Sequence, residues 1–190
     1  VNFDPTTQLS KFVLVFRDLI EPSACDEIIE TSKDGWLKHS YSYPGSNQYE
    51  SFVDDPDVCA PSKEIAHSLN SVIKFAMKEY LDYLDLNKNF AFTNYSSVRL
   101  NKYQIGQQMK KHNDHIGTIF SETGERGIPI LSFVGLLNDD YEGGEFVMWD
   151  NTIIPIPKGG VVAFPSLFLY PHEVRQVTAG IRNSFVSWAW

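Results

Sequence analysis

The spacing of hydrophobic and polar positions changes once along this chain, near Asn94. Before that point the most regular pattern lies in residues 61–84. There Ile65, Leu69, Val72, Ile73, Ala76, Met77, Tyr80, Leu81 and Leu84 recur at intervals of three and four. Such spacing winds one apolar stripe along a helix and predicts a long helix lying on a sheet. Upstream, residues 12–16 form a short apolar run that reads as a buried strand. Glu21-Pro22-Ser23-Ala24 opens another helix, with proline where its missing N–H costs nothing. Ile28 and Ile29 supply its apolar face, and Gly35 marks its end. Residues 36–43 alternate as a strand and stop at Pro44-Gly45. Residues 45–61 are polar around Asp54-Asp55-Pro56-Asp57, which reads as a solvated loop or as a lid over an active site.

Beyond Asn94 the period becomes two. Tyr95, Ser97, Arg99, Asn101 and Tyr103 fall on one face of a strand, with Val98 and Leu100 on the other. Further strands are expected at residues 130–137, 144–149, 160–164, 173–177 and 181–190. Asn138-Asp139-Asp140, Glu142-Gly143-Gly144, Pro157-Lys158-Gly159-Gly160 and Thr178-Ala179-Gly180 provide the turns between them. Helices followed by many short strands predict an α+β, mostly β chain: a jelly roll with the N-terminal helices packed outside the sheet. No repeat, linker or low-complexity tract divides it. One domain over residues 1–190 is expected, with 1–94 as support and 95–190 as core.

Composition narrows the function without choosing it. The chain has 190 residues, enough for one substantial core. Sixteen basic against 24 acidic residues give a net charge of -8, which argues against a nucleic-acid partner. Cys25 and Cys59 are too few and too far apart for a thiolate metal site, and read as thiols in a reducing compartment rather than as a disulfide. No apolar run reaches membrane-spanning length. Residues 1–5 lack the basic start and apolar segment of a signal peptide, and there is no initiator methionine, as in a trimmed chain. The expectation is a soluble, cytoplasmic protein with no membrane partner.

Candidate chemistry gathers late in the chain. His112 and Asp114, two apart on a strand or at its end, share a face, and His172 follows sixty residues later. Two imidazoles and one carboxylate can hold one face of a metal ion and leave the other open, the arrangement of non-haem Fe(II) oxygen chemistry. His115 competes for the role, but as the neighbour of Asp114 it points to the opposite face. Arg182, ten residues after His172, supplies a cation that could anchor the far end of a dicarboxylate. The same ligands could hold Zn(II) for hydrolysis, with Glu145 or Glu173 as base. A silent jelly-roll binding domain is a third reading. Arg175 reads as a surface residue. Arg99 reads equally as a substrate contact or as the partner of a nearby acid.

Six ordered pieces then carry a resemblance. Tyr103-Gln-Ile-Gly106 with His112-Asn-Asp114, Leu136-Leu137-Asn138 with Gly143-Gly144-Glu145-Phe146, and Pro157 to Gly160 with Ala163-Phe164-Pro165-Ser166 follow one another. Pro171-His172-Glu173-Val174, Gly180-Ile181-Arg182 and Trp188 complete the series. Together they resemble the prolyl 4-hydroxylase-like 2-oxoglutarate/Fe(II) dioxygenases over residues 95–190. The resemblance implies a double-stranded β-helix with His112, Asp114 and His172 as iron ligands. It implies Arg182 on the distal carboxylate of 2-oxoglutarate, and Tyr103 as a donor to the same co-substrate. Ser184 and Trp188 share the strand face of Arg182 and would support the carboxylate and wall the pocket. The implied reaction is hydroxylation of an unactivated C–H with O2, 2-oxoglutarate being decarboxylated to succinate and ascorbate serving as reductant. The implied substrate is a prolyl residue in a peptide or protein, with a free amino acid or other small molecule as the alternative. Gly135 and Leu136 depart from the pattern, standing where several peptide prolyl hydroxylases carry tyrosines. Residues 117–129 read as a loop beside the metal, gating or plain.

Overall fold

In the computed structural model, residues 8–42, 49–86, 94–114 and 128–190 are described. His115 and most of the 117–129 loop lie outside these residues, as does the Pro44-Gly45 turn. A 3-10 turn over Ser10–Phe12 leads into β1 (Leu14–Phe16), then α1 (Pro22–Thr31). Short strands follow: β2 (Leu37–Lys38), β3 (Tyr41–Ser42), β4 (Tyr49–Glu50) and β5 (Asp57–Cys59). The long helix α2 spans Lys63–Tyr83. The second half is strands: β6 (Arg99–Tyr103), β7 (Met109–His112), β8 (Leu131–Leu136), β9 (Glu142–Gly143), β10 (Phe146–Met148) and β11 (Thr152–Ile153). β12 (Val161–Pro165), β13 (His172–Val174), β14 (Val177–Ala179) and β15 (Arg182–Ala189) complete the chain.

Two antiparallel sheets form the body. The larger runs β1-β12-β8-β15-β6-β5-β2, and the smaller runs β11-β10-β13-β7. Period two along the large sheet sorts its side chains into two layers. Val98, Leu100, Leu131, Phe133, Val161, Ala163 and Phe185 pack with Leu69, Ile73, Ala76 and Tyr80 of α2 and with Cys25 and Ile28 of α1. Tyr103, Val134, Val162, Phe164 and Val186 point the other way and meet Met109, Phe146, Met148 and Val174 of the small sheet. The fold is therefore a double-stranded β-helix, with the helices covering its outer face.

The α2 stripe is as its spacing predicts, and Ser62 caps the helix by accepting from the Ile65 N–H. Five of its side chains are buried, each contributing about 1.5–3 kcal/mol in apolar burial for the larger ones. Five expectations need correction. α1 ends at Thr31 rather than near Gly35, and residues 12–16 are only partly strand, with Phe12 exposed in the preceding turn. Tyr95 packs with Val98 and Leu100 against the helices instead of beside Tyr103, because it bridges to Ala189, which faces that layer. The polar run at Asp54 to Asp57 is no detached solvated loop. Asp55 is fully buried, accepting from the Phe52 N–H and the Tyr41 hydroxyl, and β5 continues the large sheet beside β6. Finally, Gly135 cannot hold a tyrosine beside the pocket. It faces the helix layer, where a Cβ would lie 2.1 Å from the Phe185 ring.

Both cysteines are free and buried, which raises their thiol pKa values through desolvation. Among the described residues no helix is long and apolar enough to cross a membrane.

Candidate active site

Between the two sheets lies a cavity of about 410 Å³, counted with its open mouth. Its floor is a ladder of two strands. β6 contributes Arg99, Asn101 and Tyr103, and β15 contributes Arg182, Ser184, Val186 and Trp188. The small sheet supplies the opposite wall with Met109, His112, Phe146, His172 and Val174.

The two histidines meet because β13 pairs with β7 and sets His172 opposite His112. Register then slips: Val174 pairs with Met109, so three steps on β7 match two on β13. This bulge lets Met109 and His112 both face inward although they are three apart, while Lys110 and Lys111 are exposed. Asp114 follows just past the strand end. One donor atom from each of His112, Asp114 and His172 lies within 4.8 Å of the others.

Each imidazole is oriented by the backbone. His112 Nδ1 donates to the Lys110 carbonyl at 2.7 Å and His172 Nδ1 donates to the Tyr170 carbonyl at 3.0 Å, since a carbonyl can only accept. Both Nε2 atoms are left facing the carboxylate: His112 Nε2 lies 3.4 Å from Asp114 Oδ1, and His172 Nε2 lies 3.7 Å from Oδ2. Ser132 donates to Asp114 Oδ2 at 2.7 Å. With its proton so used, Ser132 accepts from Ser166 Oγ, also at 2.7 Å. Ser166 ends the Phe-Pro-Ser turn, so the signal for this relay was present in the motif, but the role of Ser132 was not foreseen.

Electrostatics agree with a cation seat. Burial opposes ionisation of Asp114, yet the neighbouring His172 and His112 hold its carboxyl well below the usual range. Burial lowers the pKa of His172 to about 4, which keeps the ring neutral. Burial also opposes charging of His112, but the hydrogen bond and charge of Asp114 outweigh it and raise its pKa. Phe164 and Phe146 stand 4.8 and 5.4 Å from the His172 ring and make its surroundings apolar. The donor set, two neutral-capable imidazole nitrogens and one hard carboxylate, fits Fe(II) with open coordination positions.

Arg182 lies deeper, 1 % exposed. Its Nη1 donates to Ser184 Oγ at 2.8 Å and its guanidinium stands 5.2 Å from the centre of the Tyr103 ring. Its Nε has no partner, and no carboxylate among the described residues pairs with it. Gly144, at φ +64, makes room: a Cβ there would sit 3.0 Å from Arg182 Cδ. A buried arginine without an acid is costly unless an anion completes it. Arg175, by contrast, reaches outward to Asn151. Glu145 and Glu173, the bases a hydrolytic site would want, do not line the cavity.

Comparison with known proteins matches residues 98–190 to the 2OG-Fe(II) oxygenase superfamily. No curated protein sequence matches the chain. Among solved structures, a Trichoplax adhaerens prolyl hydroxylase in complex with a hypoxia inducible factor oxygen degradation domain peptide fragment superposes with a TM-score of 0.69. Its identity is 12%, covering 98% of this chain and 86% of that one. A prolyl-4-hydroxylase from Pseudomonas putida gives 0.64 at 14% identity, over 97% and 95% of the two chains. The viral collagen prolyl hydroxylase of Paramecium Bursaria Chlorella virus-1, as its 2OG complex, gives 0.63 at 15% identity over 94% of each. At such identities the structural likeness is one of fold. The matched residues 98–190 carry every residue of the cavity, so the candidate active site lies wholly within the segment that matches the 2OG-Fe(II) oxygenase superfamily.

Proposed function

We propose that this oxygenase hydroxylates an unactivated C–H of a prolyl residue in a peptide or protein, within a single catalytic domain whose first 94 residues support the core. His112, Asp114 and His172 would hold the metal. Bound there, Fe(II) with 2-oxoglutarate supplies the oxidising power by which one atom of O2 enters the substrate C–H as hydroxyl and the other enters succinate, with release of carbon dioxide. Arg182 takes the distal carboxylate of 2-oxoglutarate with its planar fork, and Ser184 and Tyr103 hold that fork in place. Ser132 and Ser166 orient Asp114, and the two carbonyls fix the imidazole tautomers, as outer partners of metal ligands do. Phe146 and Phe164 exclude water from the His172 side.

The observation that carries this reading is the buried, acid-free Arg182 in the same cavity as the three clustered donors. A hydrolytic or silent domain has no use for it. The prolyl class is supported by the neighbours, three of which are prolyl hydroxylases and one of which holds a peptide. Ascorbate as reductant and a cytoplasmic, reducing setting complete the proposal, the latter supported by two buried free thiols. The test is incubation of the Fe(II) protein with 2-oxoglutarate, O2 and a library of proline-containing peptides, read by succinate and by product mass. Gain of one oxygen on proline with matching succinate is expected. Loss of a methyl group from a nucleobase substrate, or no succinate with any substrate, contradicts it.

A further inference from the structure

Two arginines line the cavity, and the reading above uses one. Arg99 stands on β6 four residues before Tyr103, on the same face. Its guanidinium lies 5.3 Å from the centre of the Trp188 ring, and its Nε donates to Asn101 Oδ1 at 3.1 Å. These contacts fix the plane of the fork, and among the described residues its two terminal nitrogens make no hydrogen bond. The acids nearby are already engaged. Asp114 serves the two histidines and Ser132, Asp55 serves Tyr41 and the Phe52 N–H, and Asp57 pairs with Lys38 at 2.9 Å. Of the two readings of Arg99, pairing with an acid finds no salt bridge among the described residues, although the Asp114 charge favours its ionised form.

A half-buried, permanently charged guanidinium with its open edge in a cavity is a carboxylate receptor in search of its anion. That anion is not the one Arg182 holds. Arg182 pairs in register with Tyr103, and Arg99 with Val186, so their Cα positions stand four residues apart along the ladder, about 13 Å by strand rise. Asn101 and Ser184 lie between them, and each guanidinium is held to its own ring, Tyr103 or Trp188. Arg99 lines the same cavity as His112, Asp114 and His172.

We propose that Arg99, stacked on Trp188 and squared by Asn101, binds a carboxylate of the primary substrate close to the carbon that is hydroxylated. It is a specificity-determining residue that favours a free amino acid, a chain-terminal residue or a residue beside an acidic side chain over an uncharged interior segment. This rests on the oxygenase reading but not on the substrate's being proline-specific.

The test uses the anaerobic Fe(II)–2-oxoglutarate protein. Binding is followed by calorimetry, and conversion by mass spectrometry once oxygen is admitted. The probes are L-proline and L-prolinamide, N-acetyl-glycyl-L-proline and its amide, and end-blocked peptides with an interior proline, with and without a neighbouring aspartate. At least one carboxylate form should exceed its neutral counterpart by about tenfold or more. Preference for free proline, for the acetylated dipeptide or for the aspartate peptide each supports the proposal and tells which carboxylate is read. Arg99→Gln should erase the preference, and Arg99→Lys should restore part of it. Equal binding of charged and neutral probes, a preference that survives Arg99→Gln, or no binding of any carboxylate probe by a protein that takes up 2-oxoglutarate overturns it. Failure to take up 2-oxoglutarate at all is instead the failure of the underlying oxygenase reading, and removes the basis for this one.

Discussion

β15 has two faces, and they are built on opposite terms. Asn183, Phe185, Ser187 and Ala189 point to the helix side, where the Ser187 hydroxyl finds its partner within the protein. Ser187 donates to the Ser96 carbonyl, and the Asn183 N–H donates to Asn138. Phe185 is fully buried against Gly135. Arg182, Ser184, Val186 and Trp188 point to the cavity, where Arg182 keeps an unpartnered Nε. One strand thus carries a closed face that stabilises the fold and an open face whose hydrogen-bonding capacity is left for a ligand. Residues two apart can serve one end while their immediate neighbours serve the other.

If the two faces are as separate as this, substitutions should divide cleanly. On the closed face, Phe185→Ala should cost about 3–5 kcal/mol of stability through the cavity it leaves, read by denaturant unfolding. The folded fraction should still bind 2-oxoglutarate normally. On the open face, Arg182→Met should weaken 2-oxoglutarate binding by about 2–4 kcal/mol, measured by calorimetry on the anaerobic Fe(II) protein. Its thermal stability without ligand should not fall, because an unpaired buried charge has been removed. A large stability loss in Arg182→Met would blur the distinction. Ser132→Ala reaches the site through Asp114 only, so Fe(II) affinity should drop about 10–100-fold with little change in unfolding.

A smaller effect should come from pH. The metal needs His112 neutral, whereas Asp114 raises the His112 pKa in the metal-free protein. Protons therefore compete with the metal from above pH 6.5, and affinity should fall by up to about tenfold per pH unit as pH is lowered further. His172, with its pKa near 4, should add a second proton only below that value. An affinity flat from pH 8 to 6, followed by metal titration, would sever His112 from the ligand set.

The legibility of these two faces in the sequence differs for the same reasons. The helix side rests on long periodic stripes, so the α2 residues and the alternation of β15 could be read directly. That His112, Asp114 and His172 would stand together, with Arg182 in the same cavity, could be read because spacing and ordered motifs agreed. The bulge in β7 could not, since Met-Lys-Lys-His breaks period two and only pairing with β13 shows why both ends face inward. The burial of Asp55 escaped for a related reason: a polar run looks solvated until tertiary partners such as Tyr41 are in place. Ser132 looked like any strand serine, because its function depends on Asp114, eighteen residues away in sequence.

The central claim, that His112, Asp114 and His172 seat Fe(II) within reach of a 2-oxoglutarate held by Arg182, has one direct measurement. The anaerobic Fe(II) protein is titrated with 2-oxoglutarate while the weak visible metal-to-ligand absorption is followed, with His172→Ala in parallel. The account predicts a saturable band in the wild type and none in His172→Ala, the variant remaining folded by circular dichroism. A wild type without the band, or a His172→Ala protein that shows it undiminished, would contradict the account.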